Sequence, residues 1–137
     1  MKISLLSACG TSAQEFFEKM LDVKADCLLD IRLKNSNQLC GFTKAKDLAW
    51  FVEKLTDARY VHDLRLAPPP TLLKAYLDHR IDWQGYRKGY LEAMEKMGAV
   101  HLFRAEYGKY QSVCLLGSAT ASRRSHIEAL KELLERK

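Results

Sequence analysis

An aspartate and an arginine flank a single isoleucine at the end of an apolar run. Asp30 and Arg32 follow the run at residues 27–29, with Ile31 between them. Residues two apart in an extended strand point to the same face, so the two charged side chains share a face. Two interpretations are open: Asp30 acts as a general acid or base with Arg32 as an oxyanion partner, or the two form an ion pair that closes the strand end.

His62 and Cys9 are further candidates for chemistry. The pKa of a histidine is ordinarily near neutrality, so His62, which precedes Asp63, can be a general base or a hydrogen-bonded structural residue. Cys9 can be a nucleophile, but no basic partner is evident near it in the sequence, and an inert buried thiol is the alternative. We therefore take Asp30 and His62 as the catalytic candidates.

Two adjacent arginines, Arg123 and Arg124, fall in the first turn of a final helix predicted over residues 122–135. Cations at a helix N-terminus are unfavourable by roughly a few tenths of a kcal/mol each. The placement is explained if backbone amides after Gly117 and Ser118 bind an anion that an arginine clamps. Alternatively, both arginines point to solvent, or one pairs with Asp30. The ligand-binding candidates are Arg32, Tyr60, Ser118, Arg123 and Arg124.

Three aromatic residues recur at helical spacing. Trp83, Tyr86 and Tyr90 are three and four positions apart, which places them on one helix face. Such a face can stack nucleobases, or it can be part of the core, which is the more common role.

The elements that position these residues alternate between strand and helix. Apolar runs predict strands at residues 3–7, 27–31 and 113–117, and a further strand fits residues 59–62. Helical periodicity follows a capping box at Ser12 and Glu15, resumes after Thr43, runs from Thr71 through Met94 to a break at Gly98, and continues over residues 99–107. All three prolines lie at residues 68–70. We therefore expect the chain to follow an extended path from residue 63 to residue 70 as it leaves the strand at residues 59–62.

This alternation predicts a single three-layer α/β domain over residues 1–137, with a mostly parallel sheet of about four strands and helices on both faces. Ligands of such sheets bind outside the carboxyl ends of the strands. The residues at or just past those ends are Ser7 and Cys9, Asp30 and Arg32, Tyr60 and His62, and residues 118–124, so we expect the site at that edge.

Composition limits the class of protein. The chain has 137 residues and a net charge of +5, which fits one globular domain and permits an anionic partner without establishing one. The sequence contains no run of eighteen apolar residues, so we expect no membrane span. The four cysteines lack a Cys-x-x-Cys pair, so we expect free thiols, a cytoplasmic location and no zinc site.

Several catalytic motifs are missing from the sequence. No Cys-x5-Arg phosphate loop, Gly-x-Gly-x-x-Gly, P-loop, Gly-x-Ser-x-Gly or His-Glu-x-x-His is present. Cysteine phosphatases, common nucleotide enzymes, serine hydrolases and zinc proteases are therefore unsupported, and we expect neither a cofactor nor a metal.

The order of the motifs resembles one family across nearly the whole chain. These motifs are Asp30-Ile31-Arg32, Tyr60-Val61-His62 with Leu66-Ala67-Pro68 behind it, Trp83-x-x-Tyr86-x-x-x-Tyr90, and the late strand Val113-Cys114-Leu115-Leu116 before an arginine-bearing helix. Together they resemble the domain-of-unknown-function 488 family. The resemblance implies a small α/β domain with no assigned reaction. Because some members occur in DNA-repair or genome-defence contexts, it also implies a nucleic-acid or nucleotide partner.

The chain departs from that family's pattern at reactive positions. Residues 7–9 are Ser-Ala-Cys where members commonly carry Gly-His-Ser, and residues 117–119 are Gly-Ser-Ala where members carry Cys-x-Glu. Residues 122–124 are Ser-Arg-Arg in place of Cys-His-Arg, although a gap-free alignment places that motif on Ser125-His126-Ile127. Two hypotheses follow. One is an anion site for phosphate, nucleotide or nucleic acid; the other is a non-catalytic interaction module that uses the Pro68–Pro70 exit and the aromatic helix.

Overall fold

The sheet has four parallel strands whose order differs from their order in the chain. The computed structural model describes residues 1–35, 38–120 and 122–136. Strands β1 (Lys2–Ser7), β2 (Cys27–Asp30), β3 (Arg59–His62) and β4 (Ser112–Gly117) are arranged β1-β4-β2-β3, and every pairing is parallel. Every residue of the two inner strands, β2 and β4, is buried, as continuous apolar runs predict.

Helices cover both faces of the sheet and create two separate cores. The α-helices are α1 (Ala13–Asp22), α2 (Ala45–Leu55), α3 (Pro70–Leu77), α4 (Trp83–Met97), α5 (Ala99–Tyr107) and α6 (His126–Glu135), with 3-10 segments at Gln38–Thr43 and Leu64–Leu66. Leu28 of β2 packs in the core with α1 and α2, whereas its neighbour Leu29 packs in the core with α4, α5 and α6. The α/β class and the layers on both faces are thus confirmed.

The segment predicted as one helix from Thr71 through Met94 is two helices. Asp82 caps the second one, α4, by accepting a 2.9 Å hydrogen bond from the amide of Gly85. His79, with a φ of 59°, lies in the turn between them. The break at Gly98 is confirmed, and its φ of 76° is the left-handed conformation that glycine adopts at helix ends.

The exit from β3 is less extended than predicted. Residues 64–66 form a 3-10 turn capped by the carboxylate of Asp63, which accepts from the amide of Arg65. Pro70 begins α3, where a missing amide hydrogen costs nothing because the first helical amides have no intrahelical acceptor. The prediction of an extended path from residue 63 to residue 70 was therefore wrong.

The predictions that helices begin at Thr43 and Ser122 were also wrong. Thr43 does not cap α2; its hydroxyl donates to the carbonyl of Ala8 at 3.0 Å, and Lys44 is at the cap position. Helix α6 begins at His126, because Thr120 and Arg123 form a short antiparallel bridge that holds the chain outside the helix. Arg123 and Arg124 therefore precede the helix, and the unfavourable dipole placement inferred for them does not apply.

Helical spacing in the sequence predicts Leu21 of α1 and Leu55 of α2 on inner helix faces, but each is 53% exposed. They border an apolar groove between α1 and α2 that is also lined by Phe17, Phe42 and Phe51. The capping box at Ser12 is confirmed. Helical spacing also predicts an inward face for the last helix, and its members are buried: Ile127, Leu130, Leu133 and Leu134.

A glycine at the end of β4 permits the close approach of α6, which generates a prediction about stability. A Cβ at Gly117 would lie 2.4 Å from Ser125 Oγ and 2.8 Å from Ile127 Cγ2. Gly117→Ala should lower the free energy of unfolding by about 1–3 kcal/mol, as overpacking does. Urea denaturation measures it. Gly85→Ala is the matched control, since a Cβ there meets its nearest neighbour at 3.4 Å. It should raise stability by about 0.5 kcal/mol through helix propensity, and an equal loss in both variants would contradict the steric account.

Candidate functional site

A crevice of about 430 Å³ lies at the carboxyl ends of the strands. Residues that follow β1, β2 and β4 form most of its wall, and α3 with the preceding Pro68 forms the rest. Its lining residues are Ala8, Cys9, Arg32, Leu33, Lys34, Pro68, Leu73, Leu77, Ser118, Arg123 and His126. Parallel strands bring these residues together because their carboxyl ends meet at one edge of the sheet.

The wall of the crevice depends on a buried ion pair at the end of β2. Arg32 Nε donates to Asp30 Oδ1 at 2.9 Å and its terminal nitrogen donates to Oδ2 at 2.7 Å, while the backbone amide of Arg32 donates to Oδ1 at 3.1 Å. The hydroxyl of Tyr60 also donates to Oδ2. Asp30 is fully buried and Arg32 is 5% exposed, so this is a desolvated pair with well-matched hydrogen bonds.

The same groups set the protonation states at this point. Burial alone would lower the pKa of Arg32, but its hydrogen bond and proximity to Asp30 raise that pKa above its usual value. Burial, together with the Asp30 charge, raises the pKa of the Tyr60 phenol, so the phenol stays protonated and donates. The guanidinium also donates to the carbonyl of Thr43 at 2.7 Å, which ties the start of α2 to the end of β2.

An Asp-x-Arg unit of the same geometry occurs at the end of β3. Arg65 donates to Asp63 through its amide, Nε and terminal nitrogen at 3.0, 3.0 and 2.9 Å, and the hydroxyl of Tyr107 donates to the second carboxylate oxygen. The two units differ in their exposure to solvent: the Arg65 side chain is about half exposed, whereas Arg32 is buried. Arg65 also pairs with Glu106. The chain therefore uses one local motif twice, once buried under the crevice and once at the surface.

Two histidines hold the backbone that follows β2. His62 Nε2 is 2.9 Å from the carbonyl oxygen of Arg32, and His126 Nε2 is 2.8 Å from that of Ile31. A carbonyl only accepts, so both histidines donate from Nε2. His126 Nδ1 then accepts from the hydroxyl of Ser125 at 3.2 Å. Burial lowers the pKa of His126 to about 4, so it is a neutral donor at pH 7.

Positive charge reaches the crevice from Arg123 and Lys34. Arg123 is partly buried and donates to the carbonyl of Ser118 at 3.0 Å, while Lys34 is exposed at the rim. Arg124 lies outside the crevice: it pairs with Glu128 at 2.8 Å, and its guanidinium carbon lies 4.6 Å from the centre of the Trp83 ring. No carboxylate is among the described residues that line the crevice.

The predicted site residues therefore divide into two groups. Arg32, Ser118 and Arg123 line the crevice, whereas Asp30, Tyr60, His62 and Arg124 do not. Sequence reasoning missed Lys34, for which the only signal was its place two residues after Arg32. It reached His126 only through the alternative alignment of the family motif, because a histidine at a helix start carries no signal of its own.

The cysteines differ from the sequence expectation at one position. Cys27 and Cys114 are free and buried, and burial raises their pKa values to about 12 and about 11, which makes both thiols inert. Cys9, at the crevice, is disulfide-bonded, so the expectation that every thiol is free was wrong. The side chain of Cys40 lies outside the described residues.

Comparison with known proteins gives one family. The model of a domain of unknown function, DUF488, matches residues 12–134, which is nearly the whole chain. The chain belongs to the DUF488 family. The resemblance found from the sequence motifs is thus confirmed. No curated protein and no solved structure gives a significant match.

Two general features of this DUF488 domain concern membranes and metals. No helix in residues 1–35, 38–120 and 122–136 is long and apolar enough to cross a membrane. Within that same part of the chain, no three histidine, cysteine or acidic side chains are grouped so that they could hold a metal ion.

The buried pair predicts a hierarchy of stability losses. Asp30→Asn leaves the Arg32 charge buried without its counterion, so the free energy of unfolding should fall by about 3–5 kcal/mol. Tyr60→Phe removes one donor and keeps the ion pair, so the loss should be about 1 kcal/mol. Guanidinium denaturation of both variants measures the difference. Similar losses in the two variants would show that Arg32 does not depend on Asp30.

The low pKa of His126 predicts a pH dependence. Its folded pKa of about 4 lies below the ordinary 6.5, so the unfolded chain takes up the proton first as the pH falls. The contribution of this group is therefore complete above about pH 6.5 and is lost toward pH 4, by roughly 2–4 kcal/mol in total. Denaturation of the wild type and His126→Gln at pH 7 and pH 5 tests this. The variant should be less stable at pH 7 and lose less on acidification; parallel losses would refute the assignment.

Proposed function

We propose that the crevice binds a phosphate group, carried by a nucleotide, a nucleic acid or another small molecule. One observation carries this proposal: Arg123 and Lys34 reach the same cavity, and no carboxylate is present among its described lining residues. Two cations with no counterion among the described lining residues of a concave, partly apolar site favour an anionic ligand, because each charge is stronger where water is excluded.

The lining residues have distinct roles in this proposal. Arg123 supplies a guanidinium that can contact two phosphate oxygens, and Lys34 supplies a point charge at the rim. Ser118 offers a hydroxyl donor. Arg32 adds little net charge because Asp30 neutralises it, so its role is to keep the wall rigid. Helix α6 begins with His126, which lines the crevice. The dipole of this helix therefore adds positive potential at the crevice.

The proposal is binding rather than turnover. Asp30 and His62 were the catalytic candidates, but their polar atoms hold Arg32 and the backbone after β2, and neither lines the crevice. The DNA-repair or defence context implied by the family resemblance is consistent with a phosphate-bearing partner. A cytoplasmic location stays a prediction.

A protein-interaction role is the alternative, and the apolar groove between α1 and α2 favours it. Leu21 and Leu55 are each 53% exposed at this groove, and exposed apolar patches often mark interfaces. The groove is not the surface predicted from the sequence: Pro68 is buried, and Pro70 is the first residue of α3.

The phosphate proposal predicts that two charges control affinity. Arg123→Ala and Lys34→Ala should each weaken binding of inorganic phosphate by about tenfold, because each removes a charge-assisted contact. Chemical-shift titration by NMR at low salt measures this, and added salt should weaken wild-type binding. Arg59→Ala is the matched control: it removes the same charge at the amino end of β3, away from the crevice, and should leave the affinity unchanged. Equal weakening in all three variants would show that only the net charge of the protein matters. Either that result or the absence of saturable phosphate binding to the wild type would overturn the proposal.

A further inference from the structure

Three aromatic side chains form a ledge beside the crevice. Tyr76 of α3 and Tyr86 of α4 are stacked, with ring centres 4.3 Å apart and planes 7° from parallel. Trp83 lies 6.3 Å from Tyr76 and 6.0 Å from Tyr86. Tyr86 is buried, whereas Tyr76 and Trp83 are half-buried, so the ledge has a fixed base and a partly accessible edge.

The ledge and the crevice share structural elements. Leu73 and Leu77 of α3 line the crevice, and Tyr76 lies between them on the same helix. The hydroxyl of Tyr76 donates to the carbonyl of Arg124 at 3.0 Å, and the preceding residue, Arg123, lines the crevice. A ligand held by Arg123 is therefore next to the ledge.

Arg124 covers the ledge with a planar group. Its guanidinium carbon lies 4.6 Å from the centre of the Trp83 ring, a cation–π contact. Glu128 fixes its orientation, accepting from Nε and from the terminal nitrogen at 3.2 and 2.8 Å. The side chain is still 58% exposed. Arg124 thus has one side toward the indole, its donors directed to a carboxylate, and the rest of its surface toward solvent.

We propose that a nucleobase stacks on the face of the Arg124 guanidinium that is opposite Trp83, while the phosphate of the same nucleotide occupies the crevice. This inference rests on the proposed function, and it names the ligand class as a nucleoside monophosphate unit. Bases stack on arginine guanidinium planes as well as on aromatic rings. Glu128 and Trp83 orient the guanidinium before a base arrives, so little side-chain freedom is lost on binding.

Matched ligands with and without a base test the stacking. Adenosine monophosphate should bind the wild type about 5- to 150-fold more tightly than ribose 5-phosphate, which corresponds to one stacked base. Arg124→Lys is the decisive variant because it keeps the charge and removes the plane. In this variant the affinity for adenosine monophosphate should fall to that for ribose 5-phosphate, whose own affinity should not change. Isothermal titration calorimetry measures all four affinities, and thermal unfolding shows that the variant is folded.

The possible outcomes separate the two proposals. Equal wild-type affinities for the two ligands overturn the stacking and leave the phosphate site intact. A preference for the base that survives in Arg124→Lys also overturns it, since the base would then not depend on the guanidinium plane. If neither ligand binds, the proposed function itself fails. A short 5′-phosphorylated oligoadenylate shows whether the natural ligand is a nucleic-acid strand or a free nucleotide. Tighter binding than that of adenosine monophosphate identifies a strand, and equal binding identifies a free nucleotide.

Discussion

The buried pair of Asp30 and Arg32 is the constraint on which the crevice depends. A charge taken out of water is tolerated only where a counterion and further hydrogen bonds replace the lost hydration. Here the carboxylate receives two guanidinium contacts, a backbone amide and a phenol, and the guanidinium reaches on to the carbonyl of Thr43. One pair therefore joins β2, β3 and the start of α2. His62 and His126 hold the carbonyls of Arg32 and Ile31, so hydrogen bonds also fix the backbone that follows β2.

The second Asp-x-Arg unit shows that burial, not the motif, decides what such a unit does. Asp63 and Arg65 repeat the contacts of Asp30 and Arg32, including the phenol donor. Arg65, however, is exposed to water and shared with Glu106, so its charge is screened and the unit serves as a cap for a short turn. Arg32 is only 5% exposed, and it lines the cavity whose wall it supports. A local motif alone could not distinguish these two outcomes.

Much of the fold was predictable because the strands and helices alternate along the chain and the inner strands are largely apolar. All four strands were found within one residue at either end. For the inner strands β2 and β4 the reason is burial on both faces, which leaves a continuous apolar run. The position of β4 between β1 and β2 was not predicted, because strand order depends on long-range pairing that no local pattern records. The start of α6 was misplaced because the Thr120–Arg123 bridge competes with the helix. In the site, adjacent arginines looked alike in sequence, yet Arg123 lines the crevice while Glu128 and Trp83 hold Arg124 outside it.

The central position of β4 has a consequence for how this chain folds. Strands β1 and β2 do not pair with each other; each pairs with β4, and Lys2 is matched with Ser112. A ribosome makes the chain from its N-terminus, so within the described residues β1 has no partner strand until residues 112–117 have emerged. Until then, among the strands that the structure describes, only β2 and β3 can pair as neighbours, and the edges of β1 and β2 that face β4 stay open to other chains. Closure of the sheet is consequently a late, non-local event, which makes folding slower than the high helix content alone would indicate.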